Sequence, residues 1–109
     1  MATTYKVLGQ SDPAATTNTT LYTCPASTQT IISTITVCNR GASSSTYRIA
    51  VRPNGATLAD EHYIVFDATL AATSVTAYTL GITIDASDVI TVYSSTSDFS
   101  FNAFGSEIA

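Results

Sequence analysis

From Thr30 to Ile108 apolar side chains alternate with small hydroxyl-bearing ones, as in Tyr47-Arg48-Ile49-Ala50-Val51-Arg52, and no stretch repeats apolar residues at helical spacing. A period of two sends successive side chains to opposite faces of an extended strand, so each segment has one face for a core and one for an exterior. Repeated along the chain, the pattern predicts an all-β fold, a single antiparallel β-sandwich. Its exterior is built from Ser and Thr rather than Lys and Glu: 11% of the 109 residues are charged and 45% hydrophobic, where an ordinary soluble domain carries about 25% charged residues. Such a surface is suited to lying against other protein surfaces.

The same scarcity of charge excludes functions. Lys6, Arg40, Arg48 and Arg52 are the only basic residues and the formal net charge is -4. Nucleic-acid binding requires clustered cations to neutralise several phosphates, so no nucleic-acid partner is expected. No apolar run approaches the ~20 residues that span a bilayer, and Met1-Ala2-Thr3-Thr4 has neither the basic start nor the apolar stretch of a signal peptide. Cytoplasmic synthesis and no membrane partner are the expectation. A chain of this length makes one domain, burying roughly two thirds of its unfolded surface.

Residues 1–18 read differently from the sandwich expected over 19–109. Tyr5-Lys6-Val7-Leu8 has the makings of a short strand, but Gly9 to Asn18 is small, polar and poor in core residues, the composition of an extended arm or long loop. In an assembly such an arm would pack along a neighbour with Tyr5, Val7 and Leu8 as anchors. Strands follow at 19–24, 30–39, 46–52, 62–66, 75–80, 89–93 and 99–108, which with the short first one makes about eight, at sandwich spacing. Pro25 stops the second, since proline cannot donate to a ladder. The adjacent Ile31 and Ile32 break alternation and predict a bulge or burial on both faces. Arg48 and Arg52 point outward from a strand whose Tyr47, Ile49 and Val51 point in. Phe99, Phe101 and Ala103 share one face of the last strand, with Phe104 and Ile108 on the other. Alternation does not encode strand pairing, so jelly-roll and immunoglobulin-like orders both remain open.

Reactive chemistry is sparse. His62 is the only histidine, so any triad must use it, and its position after a loop fits a partly exposed polar residue better than a base. Cys24 and Cys38 sit in apolar or Thr-rich contexts and read as small core residues. In a hairpin turning at 25–28 they would lie on the order of 25 Å apart, beyond disulfide reach; a bridge requires the two strands to belong to different sheets. One His and two separated Cys do not make a zinc site. Asp85 and Asp88, with Asp60, Glu61 and Asp98, offer oxygen ligands for calcium, but match no EF-hand spacing, and turn capping accounts for Asp85 and Asp88. No catalytic residue, metal or cofactor is expected.

The order of motifs also carries a resemblance. Ser33-Thr34-Ile35-Thr36-Val37-Cys38-Asn39-Arg40-Gly41, then Tyr47 to Ala56, Tyr63-Ile64-Val65-Phe66-Asp67, Asp88 to Tyr93 and Phe101 to Ile108 together resemble small virion structural proteins of tailed phages, especially those of cyanobacteria and marine bacteria. The resemblance covers nearly the whole chain and rests on turn and strand patterns. It implies a β-rich accessory protein of the virion: a capsid cement or decoration protein bridging major capsid subunits, or a tail, neck or fibre-associated adaptor. The partners expected are the major capsid protein and further copies of the chain, with a trimer favoured, and the contact residues expected are Tyr5, Val7, Leu8, Arg48 and Arg52. A host-surface carbohydrate-binding module, using exposed tyrosines, is the reading from a different class.

Overall fold

A computed structural model describes residues 2–109. Nine strands run β1 (Thr3–Ser11), β2 (Thr19–Thr23), β3 (Gln29–Asn39), β4 (Ser45–Arg52), β5 (Tyr63–Leu70), β6 (Ser74–Tyr78), β7 (Ile82–Ile84), β8 (Val89–Ser94) and β9 (Phe99–Ile108). Between β4 and β5, Pro53–Gly55 and Asp60–His62 each form a single 3-10 turn. No helix among the described residues is long and apolar enough to cross a membrane.

Two antiparallel sheets pack face to face. Sheet A has the order β1-β9-β3-β6, with β7 also on β3, and sheet B has the order β2-β8-β4-β5. β6 and β7 pair with successive stretches of β3, Ile35–Asn39 and Thr30–Ile32 respectively, so they are one strand interrupted around Gly81. Counted that way, strand one pairs with the last, two with the next to last, three with six and four with five. That is a long antiparallel ribbon rolled into two sheets, the jelly-roll order.

The expected inward residues make the core. Ile35, Val37, Ile49, Ile90, Val92, Phe99, Phe101 and Ala103 are inaccessible to solvent. Each large side chain buried in this way contributes roughly 1.5–3 kcal/mol. Tyr47 packs on Phe99 and Phe101 at ring-centroid separations of 5.7 and 6.3 Å. Its hydroxyl hydrogen-bonds that of Tyr78, joining sheet B to sheet A. Asn39, also buried, donates from Nδ2 to the carbonyls of Ser43 and Leu70 at 2.9 and 3.1 Å and accepts from the Gly41 amide at 2.9 Å, which ties the 40–44 loop to the end of β5. The Ile31–Ile32 irregularity is a bulge. The β3–β9 register shifts between Ile32 and Thr34, so Thr30 and Ile32 point inward ahead of it and Ile35 and Val37 after it.

Three expectations need correction. The expected arm is in part a strand: Thr3–Ser11 is an edge strand paired to β9 from Thr3↔Ile108 to Ser11↔Phe101, residues 12–18 form a loop, and Met1 lies outside the described residues. The ladder continues to Ala2 and Ala109, which exchange backbone hydrogen bonds of 2.7 and 2.9 Å. The segment looks arm-like in sequence because Thr3–Val7 is exposed on both faces and its partner lies at the other end of the chain. Secondly, the segments around Pro25 are not a hairpin. β2 belongs to sheet B and β3 to sheet A, yet Cys24 and Cys38 are both free thiols, because Cys24 is buried while Cys38 shares the outer-face register row of Val75 and Ser100. Thirdly, β5 continues through Leu70, past the end expected at Phe66. Asp67 takes φ 50° and the β4–β5 register shifts beside it, so the strand kinks without ending.

Candidate functional site

The outer face of sheet A carries a cluster of exposed apolar side chains whose positions follow from register. Tyr5 lies opposite Ser106 and Val7 opposite Phe104 on β9; on the other side of β9, Ser106 lies opposite Ile31 and Phe104 opposite Thr34. Paired residues share a face, so Tyr5-Ser106-Ile31 and Val7-Phe104-Thr34 are adjacent rows across three strands. Tyr5 is 83% exposed, Val7 49%, Ile31 38% and Phe104 36%. Leu8 differs from its expected role: the β1 register shifts between Val7 and Gly9, and Leu8 packs against the core instead.

Arg48 and Arg52 lie on the outer face of sheet B, across the sandwich from Tyr5 and Val7. Arg48 makes a two-point ion pair with Asp67, Nε–Oδ1 2.6 Å and Nη2–Oδ2 3.3 Å. Its guanidinium carbon stands 4.3 Å from the ring centroids of both Phe66 and Tyr93, within cation–π range. Its hydrogen bond to Asp67 holds its pKa above the usual arginine range. Arg52 donates to the Ala56 and Gly55 carbonyls at 2.8 and 3.1 Å and to Thr91 Oγ1 at 3.2 Å, fastening the 53–62 connection over this face. Lys6 is paired with Glu107 at 3.2 Å and Arg40 with Asp12 at 2.7 Å. All four basic side chains are therefore engaged within the molecule, and among the described residues they form no outward cationic cluster.

Between the sheets a polar chain runs in one direction. Lys6 Nζ and Tyr22 Oη both donate to the Glu107 carboxylate, Tyr22 at 2.5 Å. Thr30 Oγ1 lies 2.8 Å from Tyr22 Oη, and Cys24 Sγ lies 3.2 Å from Thr30 Oγ1 and 3.3 Å from the Thr28 carbonyl. With Glu107 ionised every hydrogen has one acceptor: Tyr22 donates to Glu107, Thr30 to Tyr22, and Cys24 to Thr30 or Thr28. The Tyr22 hydrogen bond holds the Glu107 carboxyl below its ordinary range, and burial pushes the Tyr22 and Tyr47 phenols up. Among the described residues no buried side-chain nitrogen or oxygen lacks a partner. This network ties β2, β3 and β9 together across the two sheets.

The remaining candidates are likewise occupied locally. His62 Nδ1 accepts from the Ala59 amide at 3.0 Å, closing its own 3-10 turn. Asp88 accepts from the Asn54 and Asp85 amides at 2.7 and 2.8 Å, and Asp85 from the Ala86 amide at 2.8 Å, the capping expected of them. No group of three or more His, Cys, Asp or Glu among the described residues is arranged to hold a metal ion. The sequence reading missed Ile31, Phe66 and Tyr93 as surface residues. The Ile31–Ile32 doublet was the signal for the first, whereas the Arg48 sandwich depends on pairing that alternation does not specify. Comparison with family models, curated proteins and solved structures finds no match for this chain.

Proposed function

We propose that this protein is a structural component of a phage virion, a capsid cement or decoration protein that stabilises the head by bridging major capsid subunits. It binds the major capsid protein and further copies of itself, by adhesion through sheet surfaces. The observation that carries this reading is the contiguous apolar cluster of Tyr5, Val7, Ile31 and Phe104 outside the core of a sparsely charged domain. A cluster rimmed by Ser and Thr is the mark of a protein contact. Repeated contacts on a particle multiply modest affinities into retention. The jelly-roll order is one that viral capsid domains use; this is support by fold analogy, since function resides in surfaces rather than folds.

The experiment is to produce particles carrying the double variant Tyr5→Ser, Val7→Ser. Both side chains lie outside the core, so the isolated domain keeps its unfolding midpoint, while occupancy on particles falls and heads rupture at lower temperature. Occupancy equal to that of the wild type would overturn the proposal.

A second reading has one observation in its favour. Tyr63 and Phe66, edge to face at 4.9 Å, line an open depression with Asp60 on sheet B, and exposed aromatic rings stack on sugars. A carbohydrate-binding module predicts glycan-array signals lost on Phe66→Ser. A blank array removes it.

A further inference from the structure

We infer that the free edge of β1 is a self-pairing surface, through which two copies of this chain join their A sheets antiparallel about a two-fold axis. The inference starts from the ladder. Ala2 and Ala109 exchange both backbone hydrogen bonds, so the backbone groups of Ala2 face β9. Alternation along β1 then turns those of Thr4 and Lys6 toward β9 and those of Thr3, Tyr5 and Val7 away from it. β1 is the end strand of its sheet, and Thr3–Val7 is exposed throughout. Three residues thus hold unpaired amides and carbonyls along a regular edge.

The other edges are blunted, as edges usually are. β2 has five residues, β6 five and β7 three. β5 is longer but carries two register shifts and the positive φ of Asp67. The far end of β1 is screened too, because Gly9 packs against the Leu21 carbonyl of β2. Among the described residues Thr3–Val7 remains open, and it has no proline. Its single charge, Lys6, is held by Glu107 on the sheet's other face.

One register satisfies both backbone and side chains. With the two-fold axis at Tyr5, Tyr5 pairs with its symmetry mate and Thr3 with Val7, all at positions whose hydrogen-bonding groups face the new strand. On the order of six backbone hydrogen bonds form. Lys6 falls opposite Thr4, so no like charges meet. Tyr5 and Val7 lie on the outer face with Phe104 and Ile31, so the apolar clusters of the two copies merge into one surface across the axis. The contact is isologous and closes at two, which commits this edge to a dimer in place of the trimer expected from the sequence.

The test uses the purified chain without any particle, so it succeeds or fails independently of the virion reading. In sedimentation equilibrium the wild type associates to a dimer. Tyr5→Lys, which sets two ammonium groups opposite each other, raises the dissociation constant at least about tenfold, whereas Val75→Lys on the opposite edge leaves it unchanged. Register is read by cross-linking in a Cys38→Ser background. Tyr5→Cys forms an intermolecular disulfide under oxidation, since paired Cα atoms lie about 5.5 Å apart at such a site. Thr4→Cys does not, because its symmetry mate is two registers away. A wild type that stays monomeric or forms trimers, a dimer dissociated by Val75→Lys but not by Tyr5→Lys, or equal cross-linking at positions 4 and 5 would overturn the inference.

Discussion

Tyr22 donates a 2.5 Å hydrogen bond to Glu107, joining β2 of one sheet to β9 of the other. The same carboxylate accepts from Lys6, so it ties one edge strand of each sheet, β1 and β2, to β9. This contact sets how stability responds to acid.

Glu107 is held below its ordinary value of 4.5. A carboxyl with a depressed folded pKa contributes in full above its unfolded value, and the contribution is lost as pH falls through the folded one. Glu107→Gln should cost about 1 kcal/mol near neutrality, allowing for partial exposure of the Lys6 pair. In urea titrations run from about pH 6 into the acid range, the gap between wild type and variant should narrow as pH falls below 4.5. A gap that stays constant would remove Glu107 from the acid response.

Two glycines stand where backbones nearly touch. A Cβ at Gly9 would overlap the Leu21 carbonyl oxygen, and one at Gly105 the Ile31 carbonyl oxygen. Neither obstacle is a flexible side chain, so Gly9→Ala and Gly105→Ala should each destabilise by about 1–3 kcal/mol. Chemical denaturation midpoints measure it, and a neutral result at either site would contradict the close approach of those strands.

Asp67 does two things at once: it sits at φ 50° and pairs with Arg48. Replacement separates them. Asp67→Gly loses only the partly exposed ion pair, a small effect, while Asp67→Ala also forces an alanine into the left-handed region at about 1 kcal/mol more. The alanine variant should therefore unfold first in a paired thermal melt. Equal midpoints would mean that β5 does not kink at this residue.

The terminal strand carries much of the core. Phe101→Ala leaves a cavity among Tyr47, Phe99 and their neighbours, with a cost of about 3–5 kcal/mol, and removal of everything after Ser97 deletes the partner of both β1 and β3. The truncated chain should show no cooperative transition by calorimetry. A soluble, cooperatively melting product would contradict the central place of β9.

The well-read parts of the chain are those where burial and alternation coincide. Phe99, Phe101 and Ala103, and Ile35 with Val37, announce their inward face because each lies on a strand buried on one side only. β1 was legible only as a short strand at Tyr5–Leu8, for the opposite reason: Tyr5 and Val7 face solvent, and the full extent of the strand is defined by a partner about a hundred residues away. Pro25 marks a stop but does not say whether the next strand returns in the same sheet or crosses to the other. The sequence offered Tyr5 and Val7 as contact residues, and they lie on an exposed face. It offered Arg48 and Arg52 as well, but those side chains are committed to Asp67, Phe66, Tyr93 and the 53–56 turn. Which cations are spent internally is decided by cross-strand register, to which the period-two pattern is blind.

The proposed virion role is tested most directly by counting copies of this chain in purified virions, by quantitative mass spectrometry against the major capsid protein. A cement protein is present on the order of hundreds of copies, in fixed proportion to capsid subunits. About a dozen copies would move it to the tail or neck, and absence from the virion would contradict the account.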